Sequence, residues 1–254
     1  MKLLLVLVLL SPTSSFAQSP FDGIWVIDST ATQLPQKPVD YLLANGLFRC
    51  EGMQIKADGS DQKAPETGYS DTVSVRIVDD HTVEIVSKKA GKTMFTELDT
   101  ISADGETLNQ TVKDTTEAPA VAIETASKRV ARGPAGSHAI SGSWQAYKTI
   151  RSKNGSLITY KCTENRFSAE TPLGEKFKAK FDGKDYPIED DPGHTVVSVK
   201  LLNPRTLEQT NKRNGKVVGV LRMTVTADGK TIHAVYENKE SNTTTISEMR
   251  KQLQ

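Results

Sequence analysis

The chain contains one sequence segment written twice, and this repeat constrains its fold more than any other feature. Residues 56–112 align without a gap with residues 180–236 at a constant offset of 124, and 17 of the 57 aligned positions are identical. The identical positions include Gly91-Lys92 with Gly215-Lys216, and Ala103-Asp104-Gly105 with Ala227-Asp228-Gly229. A repeat of this kind predicts two copies of one supersecondary plan.

Strand signals dominate both copies. Residues 72–78, 82–86, 196–202 and 217–226 are rich in β-branched side chains or alternate apolar with polar ones, as half-buried antiparallel strands do. Asp-Gly and Asn-Gly pairs, such as Asn214-Gly215, separate these runs and favour tight hairpin turns because they tolerate a positive φ. The pattern predicts an all-β fold in which an antiparallel up-and-down sheet closes or nearly closes.

A cluster of turn formers divides the chain into two modules. Residues 132–137 predict a linker between a first β module at 18–131 and a second at 138–254. Cys50 and Cys162, taken as equivalent positions, differ by 112 rather than 124, so the first module is predicted to lack one hairpin and to have about seven strands against nine. Residues 39–44, between Pro38 and Asn45-Gly46, predict a short helical turn over one end of the first sheet.

Residues 1–17 have the pattern of a cleaved secretory signal peptide. Lys2 precedes an apolar run at residues 3–10, and small residues follow at Ser15 and Ala17. A bilayer crossing takes about 20 apolar residues, which is longer than any apolar run of this chain. The sequence therefore predicts a periplasmic or secreted protein that does not span the membrane.

The two cysteines permit a disulfide in that compartment. Cys50 and Cys162 stand in similar contexts, and an exported protein meets oxidising conditions. A bridge between them would tie the two modules together. Two separate buried thiols are the alternative, since free cysteine is among the most buried residue types.

The second module resembles a group of small exported bacterial proteins with lipocalin-like β-barrel character. The resemblance rests on an opening Gly-x-Trp, at Gly142-Ser143-Trp144, and on residues 180–187, 195–200, 214–218 and 227–232. The first module shares the opening as Gly23-Ile24-Trp25 but lacks the Tyr186-Pro187 pair. The resemblance implies two tandem lipocalin-like barrels or half-barrels in which the tryptophan closes one end, and it implies no activity.

Candidate chemistry is sparse in the sequence. The four histidines (His81, His138, His194 and His233) have no metal-ligand spacing, and the acidic run Glu189-Asp190-Asp191 lacks the alternation of a calcium loop. Ser143 has no nucleophile motif around it. No catalytic residue, metal site or cofactor is predicted, and a net charge of +1 does not favour a nucleic-acid partner.

Three function classes follow from these observations. The favoured hypothesis is a protein that binds a small apolar molecule or lipid inside the second, more complete barrel, because a small barrel has room for one ligand. The alternative is a structural or interaction module whose open sheet edge in the first module pairs with another chain. An enzyme would need a cleft with convergent titratable groups of perturbed pKa. Ligand and protein partner are not predicted.

Overall fold

A computed structural model of the protein describes residues 19–64, 69–116 and 119–252. The predicted signal peptide at residues 1–17 lies outside these ranges. Two antiparallel sheets of ten strands each contain nearly all of the regular secondary structure in these ranges, which confirms the prediction of an all-β protein with two barrel-like modules. Within the described residues, no helix has the length and apolar character that a membrane crossing needs.

The first barrel is formed by one continuous stretch of chain. Its strands, in chain order, are β2 (Val39–Ala44), β3 (Leu47–Cys50), β4 (Met53–Lys56), β5 (Gln62–Lys63), β6 (Thr72–Asp79), β7 (Thr82–Lys89), β8 (Lys92–Ile101), β9 (Thr107–Asp114), β10 (Val121–Arg132) and β11 (Gly142–Arg151). Neighbouring strands pair in the order β4-β3-β2-β11-β10-β9-β8-β7-β6-β5.

The second barrel combines the rest of the chain with the first strand, β1 (Gly23–Gln33). The remaining strands are β12 (Leu157–Thr163), β13 (Arg166–Glu170), β14 (Lys176–Lys180), β15 (Tyr186–Pro187), β16 (Val196–Asn203), β17 (Thr206–Arg213), β18 (Lys216–Val225), β19 (Thr231–Asn238) and β20 (Thr243–Lys251). They pair in the order β14-β13-β12-β1-β20-β19-β18-β17-β16-β15, and a short 3₁₀ helix at Asn154–Ser156 connects β11 to β12.

The two end strands of each sheet approach one another and nearly close a barrel. In the second barrel, Lys176 of β14 and Glu189 exchange two backbone hydrogen bonds of 3.1 and 2.8 Å across the seam. In the first, Asp58 forms a bridge with Arg76 of β6, and the amide of Gly59 donates to the carbonyl of Val75 at 2.8 Å. The edges of both sheets are therefore bonded within the chain.

The two sequence copies exchange their first strands. β1, from the first copy, lies between β12 and β20 of the second barrel, while β11, from the second copy, lies between β2 and β10 of the first barrel. The predicted boundaries 18–131 and 138–254 describe the repeat, whereas the sheets comprise residues 39–151 on one side and residues 23–33 with 157–251 on the other.

Each exchanged strand brings a tryptophan into the core of the barrel that it joins. Trp25 and Trp144 are buried, and each indole N–H donates at 2.8 Å to a carbonyl four residues earlier, that of Phe21 and Ile140 respectively. The glycine of the motif is required at Gly142, where φ is +136° and a Cβ would lie 2.3 Å from the carbonyl oxygen of Ala131. Gly23 has the same φ.

Two sequence-based predictions about local structure are wrong. Residues 39–44 form strand β2 rather than a helical turn, because its Tyr41 and Leu43 face the barrel core and pair across to β3. The first module lacks no hairpin: each barrel has ten strands, not seven and nine. Trp25 corresponds to Trp144 at an offset of 119, and the later repeat has an offset of 124. Slightly longer β13 and β14, with a longer turn between them, account for the difference.

Candidate functional site

A cluster of polar side chains occupies the interior of the first barrel. Tyr41 of β2 lies opposite Cys50 of β3, and on the far side Asp99 of β8 lies opposite Gln110 of β9. Glu97 is two residues before Asp99 and therefore shares its inward face, whereas Leu98 between them is exposed. The amide nitrogen of Gln110 joins the two sides, since it donates to the hydroxyl of Tyr41 at 3.1 Å and to a carboxylate oxygen of Glu97 at 3.0 Å.

Asp99 is the unusual member of this cluster. It is fully buried, at 0% exposure, no amide or hydroxyl donor lies in direct hydrogen-bond geometry to either carboxylate oxygen, and Glu97 and Gln110 are the polar side chains that act on it. Burial, followed by the charge of Glu97, raises the pKa of Asp99 to about 8. Burial also raises the pKa of Glu97. The two carboxyls, called the acidic pair below, therefore hold at least one proton at neutral pH.

The groups that face the acidic pair remain uncharged. Burial raises the pKa of Cys50 to about 12, with a contribution from the charge of Glu51, so its sulfur is a thiol at neutral pH. Burial raises the pKa of the Tyr41 phenol as well. Neutral hydroxyl, thiol and amide groups thus surround two carboxyls, an arrangement that can accept and donate hydrogen bonds to a bound molecule.

The equivalent interior of the second barrel is apolar. At an offset of 124, Glu97, Asp99 and Gln110 correspond to Leu221, Met223 and Ala234, all of which pack in or against the second core. Tyr160 takes the place of Tyr41 and Ala169 that of Cys50, at the offset of 119. The repeat therefore places a polar cluster in one barrel and hydrocarbon at the same positions in the other.

A large cleft opens at the mouth of the first barrel, where the second barrel faces it. Its volume is about 1140 Å³. Met53, Ala64, Val73 and Phe95 provide an apolar wall from the first barrel, and the second contributes a polar rim that includes Arg213. The Arg213 guanidinium lies 4.8 Å from the ring centroid of Tyr69 and donates to its hydroxyl at 3.2 Å, which joins the two barrels across the cleft.

A smaller inner cavity leads from the cleft toward the polar cluster. Its volume is about 260 Å³, and its lining includes Tyr41 and Gln110 together with Thr125 and Trp144. Lys37, Pro38, Val39, Glu51 and Ser241 line both spaces. The connection between β1 and β2, residues 34–38, therefore forms part of the entrance.

The cysteines and the acidic run that the sequence offered as candidates do not form a functional site in the structure. Cys50 and Cys162 are free thiols on strands of different barrels, so the structure does not contain the disulfide. The two are not equivalent positions, because at the offset of 119 Cys162 corresponds to Leu43 and Cys50 to Ala169. Asp191 of the acidic run is buried and accepts bonds from the amides of Gly193 and Thr195 at 2.9 and 2.6 Å, which shapes the loop before β16.

The histidines lie apart from the polar cluster. His138 contacts the carbonyl of Asp79 at 2.8 Å, and His233 lies 3.3 Å from Glu248 across β19 and β20. Ser143 donates to the carboxylate of Asp40 on the outer side of the first barrel. Across the ranges that the structure covers, no three His, Cys, Asp or Glu side chains converge on a metal-binding arrangement.

The acidic pair was not predicted from the sequence, although the sequence contains a signal for it. Within β8, Ile101 lies in the core, and the alternation of a strand places Glu97 and Asp99 on the same inward face. Charged residues at inward positions of a strand are rare unless they are paired or functional. A comparison of the two copies position by position, with Leu221 and Met223 as the matching residues, would have marked these carboxyls.

No protein-family model matches this chain, and no curated protein matches it.

Proposed function

We propose that the chain is a binding protein that holds a small molecule with an apolar body in the first barrel and in the cleft at its mouth. The observation that carries the proposal is the cleft of about 1140 Å³, with its apolar wall and the inner cavity that continues from it. Sites for small molecules in proteins are concave and mostly apolar, with a few placed polar groups. The cluster around Tyr41 and Gln110 supplies such groups.

The proposed site differs from the one that the sequence favoured. The sequence pointed to the interior of the second barrel, but there Phe21, Trp25, Phe167 and Met223 are fully buried and pack into one core cluster. Side chains occupy the space that a ligand would need. The resemblance of the Gly-x-Trp opening to lipocalins supports ligand binding by a barrel of this kind, and we place the site in the first barrel.

Isothermal titration calorimetry with 1-octanol, a neutral molecule with an apolar chain, tests this proposal. Ser87 lines the cleft, so Ser87→Trp is expected to fill part of it and to weaken binding at least about tenfold. Leu98→Trp is the control, because Leu98 points outward from β8 of the same barrel and is 44% exposed. Equal affinities for Ser87→Trp and the unmodified protein would contradict a site in the cleft.

The other two function classes have less support. The interaction hypothesis rested on an open edge in the first module, and that edge is bonded to β6 through Asp58 and Gly59. The acidic pair meets the criterion of perturbed pKa for an enzyme, but the nearby thiol of Cys50 is kept protonated by burial and is a poor nucleophile. Binding is therefore the function that the geometry supports best.

Export is part of the same proposal. The support is the pattern of residues 1–17, with a basic start, an apolar run and Ala17 at the expected cleavage position. Intact mass spectrometry of the protein from a fractionated producing cell tests it. A periplasmic or extracellular species that starts at Gln18 is expected, and a cytoplasmic species that keeps Lys2 and the apolar run would contradict it.

A further inference from the structure

We propose that the ligand of the first barrel carries a protonated amine, which the acidic pair Glu97 and Asp99 binds at the inner end of the cavity. The inference rests on the proposed function and names the chemical class of the ligand. It starts from a buried acidic group: Asp99 is fully buried, no amide or hydroxyl donor lies in direct hydrogen-bond geometry to either carboxylate oxygen, and the polar side chains that act on it are Glu97 and Gln110. A buried carboxyl without partners costs free energy, so a native protein retains one where a partner arrives from outside or where it has a function.

The neighbours of Asp99 supply few hydrogen-bond donors. On β7, the facing residues Val83 and Ile85 are apolar. On β9, Gln110 directs its amide N–H groups at Tyr41 and Glu97. The ammonium group of a primary amine has three N–H donors and one positive charge, which match two adjacent carboxyls that lack a cationic partner.

The pair itself carries the charge in this part of the interior, and that charge is negative. Burial is the main reason why the pKa values of Tyr41 and Cys50 across the barrel are raised, and the fields of Glu97 and Asp99 add to the effect. The interior is therefore an electronegative cavity with low-dielectric walls. Such a cavity attracts a cation and disfavours a carboxylate or phosphate.

The second barrel acts as an internal comparison. Leu221 and Met223 replace the acidic pair there, and Ala234 replaces Gln110, while the strand plan is unchanged. The barrel architecture is thus stable with hydrocarbon at these positions. The carboxyls are not needed to form the fold, which leaves recognition as their role.

The apolar part of the ligand has a defined path. The inner cavity is lined at one end by Gln110, whose side-chain amide contacts Glu97 at 3.0 Å, and it passes Tyr41 and Trp144 to the cleft, whose wall is formed by Met53, Val73 and Phe95. An alkyl or aryl chain would lie against these side chains, with the ammonium innermost. A ligand that places its polar group at the rim, near Arg213 and Lys37, would instead be an acid.

Calorimetric titration of the full chain with octylamine, 1-octanol and sodium octanoate at pH 7 tests the inference. Octylamine is expected to bind at least about tenfold more tightly than 1-octanol, since a hydrogen bond to a charged group contributes about 1.5–3 kcal/mol. Octanoate is expected to be the weakest. In the double variant Glu97→Gln with Asp99→Asn, which keeps the side-chain shapes, octylamine and 1-octanol are expected to bind equally.

Two further variants separate the outcomes. Glu97→Leu with Asp99→Met introduces the side chains that the second barrel has, and it guards against a misfolded amide variant because that barrel accommodates them. Glu84→Gln on β7 is the matched control, because Glu84 lies on the outer face, paired with Arg76 at 2.8 Å. This control is expected to keep the full preference for octylamine.

The result also distinguishes the inference from the function on which it rests. If 1-octanol binds but octylamine binds no better, or if the preference for octylamine survives in both double variants, the amine inference is overturned and the binding function stands. If none of the three compounds binds, the binding function itself is overturned, and the inference with it.

Discussion

At the scale of single residues, Asp99 makes the stability of the first barrel depend on pH. Its pKa is about 8 in the folded protein against an ordinary value of 3.8, so between these values the folded state holds a proton that the unfolded chain has released. The stabilising effect of the neutral carboxyl is complete below about pH 4 and is lost as the pH rises through about 8.

The expected outcome is a free energy of unfolding that falls from pH 5 to pH 8 by up to about 1.4 kcal/mol per pH unit. Urea denaturation at several pH values measures it, and Asp99→Asn is expected to flatten the profile. Asp104→Asn is the control: hydrogen bonds from Ser102 and Glu106 lower the pKa of Asp104, so its contribution changes only below about pH 4, and this variant is expected to keep the slope between pH 5 and pH 8. Parallel profiles for Asp99→Asn and the unmodified protein would exclude a buried neutral carboxyl.

A second residue-scale prediction concerns the turn between β7 and β8. Ala90 has a φ of 50°, a left-handed conformation that costs a residue with a Cβ about 1 kcal/mol, and the equivalent residue of the second barrel is Asn214 with the same φ. Ala90→Asn is therefore expected to stabilise the first barrel by up to about 1 kcal/mol. Asn214→Ala is expected to destabilise the second. Amide hydrogen exchange in the strands on either side measures both, and a slower exchange in Asn214→Ala would contradict the reasoning.

At the scale of elements, the buried tryptophan of each barrel is contacted by a cation from the last strand of a sequence copy, β10 or β20. The Arg129 guanidinium of β10 lies 3.9 Å from the ring centroid of Trp144 and donates to the carbonyls of Ser141 and Ala139, each at 2.7 Å. In the second barrel, Lys251 of β20 lies 5.4 Å from the ring centroid of Trp25. A planar guanidinium can stack and donate in several directions at once, which an ammonium cannot.

Arg129→Ala is expected to lower the free energy of unfolding of the first barrel by about 2–4 kcal/mol, because it removes the stacking on Trp144 and the guanidinium hydrogen bonds to the carbonyls of Ala139 and Ser141. Arg129→Lys, which introduces the cation of the second barrel, is expected to lose about half as much. Near-ultraviolet circular dichroism of Trp144 during thermal unfolding measures the effect. If Lys251→Ala lowers the free energy of unfolding more than Arg129→Ala does, the distance between cation and indole ring does not determine how much the contact stabilises the barrel.

The elements also show why sequence predicted the class of the fold but not its details. Strands β6 to β9 and β16 to β19 are predictable because alternation and Asp-Gly turns are local signals. In two of these turns, the backbone amides of Glu106 and Lys230 donate to the carboxylates of Asp104 and Asp228, which stabilises the turn. The prediction of a helical turn at β2 is wrong because Pro38 and Asn45-Gly46 can flank a short strand as well as a short helix. Its strand state comes from pairing with β3 and β11, which are long-range contacts.

The candidate site required information that local patterns do not carry. Tyr41, Glu97 and Gln110 are far apart in the sequence, and barrel closure brings them within hydrogen-bond distance. Cys50 and Cys162 have similar neighbouring residues, so the sequence suggests that they are equivalent. That pairing gives an offset of 112 between the early parts of the two copies, whereas the structure gives 119. With that offset, the charged interior of one barrel and the apolar interior of the other become visible from the sequence alone.

At the scale of the whole molecule, the exchange of first strands makes the two barrels unequal in folding. All ten strands of the first barrel lie in residues 39–151, so it needs no other part of the chain. The second barrel needs β1, which lies between β12 and β20 and brings Trp25 into its core. The segment of residues 34–38 that joins the two also lines the proposed entrance, so binding and assembly share one connection.

A fragment of residues 39–151 is therefore expected to fold alone, with a cooperative thermal transition and a β-sheet circular dichroism spectrum. A fragment of residues 157–252 is expected to be unfolded, because it lacks Phe21 and Trp25 and exposes the edges of β12 and β20. Loss of a buried Phe or Trp costs about 3–5 kcal/mol each, which is comparable with the whole stability of a domain, about 5–15 kcal/mol. A peptide of residues 19–33 added to that fragment is expected to restore structure, and the same peptide with Trp25→Ala is expected to fail. If residues 157–252 fold without the peptide, β1 is an accessory strand and the exchange does not couple the barrels.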